Sequence, residues 1–264
     1  MKYKVLLLLL LLPLLSYGQV DLQKPFADCQ LKGSTTIYDY KNKKWIFTDE
    51  ADARRETLPA STFKIINSLI ALETGAVKDE QEVLAWDGTE REISAWNADT
   101  DMEQAFRNST VWFYVALAEK IGKDRYRKYL RKSRYGNGNI YTGQGADFWN
   151  YGQFGVTPMN QIELVRKLYE EKLPFSKRSF DIVKHIMIEE QGEGYVLRAK
   201  TGWTRYGGQD TGWWIGYIEK PDNVYFFATR LTKKRETENP NFSSCRKEIT
   251  REVFRQLGIL PAEL

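Results

Sequence analysis

Ser61 and Lys64, in the stretch "LPASTFKIINSLIALETGAV", stand three residues apart in a segment patterned for a helix. At that spacing two side chains share one helix face, so an amine nitrogen can approach a hydroxyl oxygen. A serine hydroxyl is a weak nucleophile at neutral pH and needs a base to take its proton. The neighbours of Lys64 say what kind of amine it is: Phe63, Ile65, Ile66, Leu69, Ile70 and Leu72 form a core-facing set. Burial disfavours an ammonium and lowers a lysine's pKa, which turns a cation into a base. Alone, S-x-x-K is a weak motif, because a surface lysine after a helix-capping serine gives the same letters.

Other residues raise its meaning. Lys200-Thr201-Gly202 closes the run "YVLRAKTG", about 140 residues after Ser61. Gly202 leaves the backbone open to close approach, and the N–H groups of Ser61 and Trp203 are candidates for holding an oxyanion. "RNSTVWFY" contributes Ser109-Thr110-Val111, "SRYGNGN" contributes Tyr135-Gly136-Asn137, and "DFWNYGQFGVT" places Trp149 in a loop.

These residues need a frame. Gly33 to Tyr40 and Lys44 to Thr48 are β-rich and flank a polar Lys41-Asn42-Lys43 turn, which predicts a hairpin. A helix introduced by Pro59 has its stop at Gly75. From there to about Glu190 the pattern is mainly helical, most clearly in "VWFYVALAEKIGKDRYRKYLRK". "YVLRAKTG", "TGWWIGYIEK" and "NVYFFATRL" read as strands bounded by Gly207-Gly208 and Pro221-Asp222-Asn223, and a last helix runs from about Ser244 to Leu257. Strands at both ends with helices between them predict an α+β fold: an antiparallel sheet built from both chain ends, flanked by helices, with an inserted helical lobe. The sheet lobe is expected over about 19–58 and 195–264, the helical lobe over about 59–194, all in one domain from 19 to 264.

The 264 residues are 42% hydrophobic and 28% charged, an ordinary soluble balance. Lys and Arg number 39 against 35 Asp and Glu; this excess of +4 reads as spread along the chain and makes no case for nucleic acid. "MKYKVLLLLLLLPLLSYGQVD" has the form of a signal peptide over residues 1–18, cut after Gly18, so the expectation is a secreted, periplasmic protein with no stable membrane insertion. Cys29 and Cys245 could pair, and two buried thiols remain the alternative. With His185 the sole histidine, no metal is expected, and a Ser-His-Asp mechanism would have to use that one residue; in "SFDIVKHIMIEE" it reads as structural.

"PASTFKI", "NSLIALETGAVKDE", "WDG", "YGN", "FW", "AKTG" and "GWWIGYIE" follow one another between about Phe26 and Leu260. In that combination the chain resembles the class D (oxacillinase-type) serine β-lactamases. The resemblance implies a fold like that of penicillin-binding transpeptidases and hydrolysis of β-lactam antibiotics, penicillins and oxacillin among them, through an acyl-enzyme on Ser61. It implies a small-molecule substrate, a role in antibiotic resistance, and carbon dioxide as the one added group, held as a carbamate on Lys64. The Trp149 indole N–H would donate to that carbamate and Val111 would form an apolar wall. Ser109 would relay a proton to the leaving nitrogen, and Lys200, Thr201, Gly202 and Arg246, in "SSCRKEITREVF", would bind the substrate carboxylate. Arg246 aligns loosely, and an exposed helix arginine is its alternative reading. The family's leucine after the loop tryptophan is replaced by Asn150, which puts the dryness of the lysine pocket in doubt. A penicillin-binding peptidase and a non-hydrolysing β-lactam sensor are the competing readings; S-x-V in place of S-x-N and the single-domain length stand against them. A homodimer is left open.

Overall fold

The computed structural model describes residues 21–141 and 145–261. The leader expected over residues 1–18 lies outside them. A short helix α1 (Lys24–Asp28) leads into the hairpin of β1 (Lys32–Asp39) and β2 (Lys44–Phe47). After α2 (Glu50–Ala53), a 3₁₀ turn (Ala60–Phe63) runs directly into α3 (Lys64–Glu73). Helices α4 (Met102–Arg107), α5 (Val111–Ile121), α6 (Lys123–Ser133), α7 (Pro158–Tyr169) and α8 (Lys177–Ile186) follow. Strands β3 (Ile188–Gly192), β4 (Tyr195–Tyr206), β5 (Gln209–Glu219) and β6 (Val224–Lys234) meander back, and α9 (Phe242–Gln256) closes the chain.

The six strands form one sheet in the order β2-β1-β6-β5-β4-β3. Both chain ends build it, as expected, because β1 pairs antiparallel with β6 along Lys32–Asp39. Successive side chains on a strand face opposite sides, so Trp213 and Trp214 of β5 enter different cores. Trp213 joins Phe63, Leu69, Phe113 and Phe226 under the helical lobe, while Trp214 joins Ile37, Phe227 and Phe254 under α9. The sulfurs of Cys29 and Cys245 are joined, which ties the end of α1 to α9 and resolves the two readings of those cysteines.

Two boundaries differ from expectation. The helix expected to run through "VWFYVALAEKIGKDRYRKYLRK" is broken at Gly122, whose φ of +79° no helix admits, and becomes α5 and α6. The sheet resumes at Ile188 rather than near 195, so residues 188–192 belong to the sheet and not to the helical lobe. "IEEQG" carries no apolar alternation because β3 is an edge strand paired with β4 alone and largely exposed.

One buried ion pair fixes the approach to Ser61. Arg230 on β6 is fully buried and contacts Asp52 of α2 at 2.6 Å; Ser34 Oγ donates to the same carboxylate at 2.6 Å. The guanidinium also donates to the carbonyls of Asp52 (2.8 Å) and Arg55 (2.6 Å), and Trp213 Nε1 donates to Leu58 O (2.9 Å). Removing one partner of such a pair strands a buried charge. Asp52→Ala should therefore cost about 3–5 kcal/mol in urea unfolding; a loss under about 1 kcal/mol, the range of exposed pairs, would show that the pair does not hold this segment.

Candidate active site

Ser61 lies in the 3₁₀ turn and Lys64 is the first residue of α3. Side chains at i and i+3 eclipse in a 3₁₀ turn, and here Lys64 Nζ hydrogen-bonds Ser61 Oγ at 2.9 Å. Ala60, just before Ser61, is held at φ +52°, an uncommon conformation for a residue with a side chain. Its N–H donates to the carbonyl of Trp149 at 3.0 Å, which pins the turn to the tryptophan loop.

Lys64 is wholly buried. Burial, reinforced by the charge of Lys200, holds its amine well below the usual lysine value, while Asp147 pulls the other way. Its nitrogen sits 5.0 Å from the centre of the Tyr114 ring. The Phe63 and Trp149 rings stack at 5.2 Å beside it, 8° from parallel. Trp149 is also wholly buried, and its Nε1 hydrogen-bonds nothing among the described residues. A buried N–H without an acceptor is costly. Burial thus acts on both groups: it disfavours the ammonium form of Lys64 and leaves the indole donor of Trp149 without an acceptor.

β4 brings the second set. Ala199 N–H donates to Met187 O on the β3 side, and the two-residue repeat of the strand turns the N–H groups of Thr201 and Trp203 toward that same edge. A β-carbon on Gly202 would stand 3.0 Å from Pro59 O and 3.1 Å from Thr62 N. The missing side chain thus lets the strand lie against the turn that carries Ser61, where the sequence suggested approach of a substrate. Lys200 is buried and donates to Ser109 Oγ at 2.6 Å. Burial, with Arg246 and Lys247 nearby and Glu189 opposing, brings the Lys200 ammonium down to about 7. Ser109, at φ +56°, stands just before α5.

Arg246 is not an exposed helix arginine. It is buried on α9, and its Nη1 donates to Gly202 O at 2.7 Å. Two further donors go to Ser243, through Nε to the carbonyl (2.9 Å) and Nη2 to Oγ (2.7 Å). Val111, the first residue of α5, is half-buried and lines a surface groove with Trp96 and Trp112. An aromatic face beside the amine, missed in the sequence, belongs to Tyr114, one turn further along α5, whose hydroxyl pairs with Ser68 Oγ at 2.8 Å. Asp147 was also missed. Burial pushes its carboxyl up, against a hydrogen bond from Asn150 and the charge of Lys64. Asn150 is itself buried: its N–H donates to Asp147 O (2.9 Å) and its carbonyl accepts from Thr204 Oγ1 (2.7 Å). These are backbone bonds; its side chain bonds Asp147, and with Asn150 in place Lys64 and Trp149 are both wholly buried.

Residues 33–255 match the penicillin-binding protein transpeptidase domain. Among characterised proteins, the chain is 38% identical to β-lactamase OXA-2 of Salmonella typhimurium over 244 residues, covering 91% of this chain and 86% of that protein. It is 40% identical to β-lactamase OXA-48 of Klebsiella pneumoniae, covering 89% and 87%. The chain belongs to the class D β-lactamases. Solved structures agree: a class D β-lactamase from Sebaldella termitidis superposes with a TM-score of 0.87 at 45% identity, covering 92% of this chain and 98% of that one. The class D enzyme YbXI from Nostoc superposes at 0.86 with 44% identity, covering 92% and 100%. The family's reaction, hydrolysis of the β-lactam amide, is therefore the activity of this chain, and its substrates are small β-lactams.

Proposed function

We propose that Ser61 is the nucleophile of this β-lactamase and that the Lys64 side chain serves as base in both halves of the cycle. The Lys64 side chain, with Nζ 2.9 Å from Ser61 Oγ and its ammonium disfavoured by burial, takes the hydroxyl proton as Oγ attacks the lactam carbonyl carbon. The backbone N–H groups of Ser61 and Trp203 hold the oxyanion, each worth on the order of 3 kcal/mol of barrier. As the carbon–nitrogen bond breaks, Ser109, hydrogen-bonded to Lys200, passes a proton to the leaving nitrogen. The proton taken from Ser61 passes on to Ser109, which leaves the Lys64 side chain free to act again. Water then attacks the ester carbonyl, giving its proton to that side chain, which returns it to Ser61 Oγ as the ester bond breaks. Lys200, Thr201 and Arg246 draw in the substrate carboxylate.

Carbon dioxide fits this pocket. A neutral lysine nitrogen is the species that reacts with it, and the unused N–H of Trp149 is the donor that the resulting anion requires. Held on Lys64, it would supply an anionic oxygen as proton acceptor. The observations that carry this reading are a wholly buried Lys64 and the acceptorless indole of Trp149, stacked on Phe63, the chain neighbour of that lysine. Carriage of a leader over residues 1–18 and delivery to the periplasm belong to the same proposal.

Purified protein should turn over a chromogenic cephalosporin many times per active site. One burst of a single equivalent followed by silence would contradict hydrolysis and favour a peptidase or sensor. The value of about 7 for Lys200 sets a second expectation. Its positive charge attracts the substrate carboxylate below that pH and fades above it, so kcat/KM should fall on the alkaline side. Bound carboxylate favours the ammonium, so kcat, which reports the enzyme–substrate complex, should fall at a higher pH than kcat/KM. Coincident midpoints would remove Lys200 from substrate capture.

A further inference from the structure

The basic excess of this chain is not spread out. Between residues 123 and 134 stand Lys123, Arg125, Arg127, Lys128, Arg131, Lys132 and Arg134 against Asp124, which exceeds the net charge of +4 for the whole sequence. All seven cations are exposed, on α6 and the residue that caps it. Among the described residues the only ion pair in the segment is Arg127 with Asp124, at 3.7 Å and open to solvent. Charges concentrated in this way repel one another. The negative end of the helix dipole accounts for Arg131 and Lys132, in the last turn; it does not account for Arg127, nor for the cations of the first turn.

The surface there is also concave. A cavity of about 440 Å³ opens between α6 and the loop that follows it, lined by Arg127, Arg131, Arg134, Leu130, Asn137 and Gly138. Arg127 and Arg131, at i and i+4 on one helix face, and Arg134 beyond the helix bring three arginines to the lining of one hollow. Arg134 reaches it because the chain leaves the helix left-handed, at φ +54°. Guanidinium groups form paired, charge-assisted hydrogen bonds with phosphate.

We propose that this cavity is an anion site that takes a phosphate group. The group could come from a lipid headgroup or a soluble phosphate, and two probes separate these sources. The first is inorganic pyrophosphate, read by thermal unfolding of the full chain, since a ligand bound to the folded state raises its melting temperature. The second is sedimentation with vesicles containing phosphatidylglycerol, against vesicles of phosphatidylcholine alone. At low ionic strength the melting temperature should rise with pyrophosphate, the phosphatidylglycerol vesicles should carry the protein down, or both. Binding should vanish near about 1 M salt, where the Debye length falls to about 3 Å. A response to vesicles alone assigns a lipid phosphate; a response to pyrophosphate assigns a soluble one.

The double variant Arg131→Gln/Arg134→Gln should weaken either response about tenfold or more, the loss expected from removing charge-assisted hydrogen bonds. It should hydrolyse the chromogenic cephalosporin as before, which shows that it folds. Lys123→Gln/Lys132→Gln removes the same charge outside the cavity and should weaken binding far less. Equal losses in the two variants, or no response of the wild type to either probe, would overturn the site.

Discussion

Lys64→Met is expected to abolish turnover and, in the same protein, to raise the melting temperature. Loss of a positioned base costs typically 10²–10⁴ in rate, and with Lys64 serving both halves of the cycle the upper end, about 10⁴, is expected. The rise in stability follows from burial. In the unfolded chain the lysine is charged at neutral pH; in the folded chain its amine is wholly buried and held well below the ordinary value, first by desolvation and then by Lys200. The unfolded state therefore binds more protons, and folding is disfavoured below the unfolded pKa of about 10.4. The destabilisation eases as pH rises toward that value. Methionine has similar volume and no proton to lose, so a gain of about 0.5–2 kcal/mol is expected, flatter against pH than the wild type. A variant that is inactive and less stable would mean that the amine is well satisfied where it lies.

Trp149→Phe should carry the second largest effect. The ring can keep its stack on Phe63 (5.2 Å) while the Nε1–H, which bonds to nothing among the described residues, is removed. Deleting an unsatisfied buried donor should change stability by less than about 1 kcal/mol. Activity should nevertheless fall by about 10²–10³, the scale for removing one donor from a developing anion, and excess bicarbonate should restore part of it. The wild type should gain melting temperature with bicarbonate, by ligand linkage, and the variant should gain less. An undiminished bicarbonate response would show that the indole N–H holds nothing. Trp149→Ala makes the contrast, since an emptied core costs about 3–5 kcal/mol whatever the chemistry.

Part of the candidate site was legible in the sequence. Ser61 and Lys64 met because spacing alone puts them together, and the strand ending at Lys200-Thr201-Gly202 was visible in its aromatic and β-branched run. Partners brought in by tertiary packing were not visible. Arg246 aligned only loosely, with an exposed helix arginine as its alternative, and its burial shows only once α9 packs on the sheet and aims it at Gly202 O. Tyr114 and Asp147 face Lys64 from two separate elements, and neither stands in a motif. Strand β3 was hidden because an exposed edge needs no apolar pattern. The basic cluster on α6 disappeared when charge was summed over the whole chain. Gly122 was in plain sight, yet the apolar spacing on both sides of it favoured one continuous helix.

The most direct test is carbon-13 NMR of the protein equilibrated with labelled bicarbonate near neutral pH. The account predicts one carbamate resonance in the wild type, lost in Lys64→Met, weakened in Trp149→Phe, and fading on acidification together with activity. A fully active preparation that shows no such resonance would contradict it.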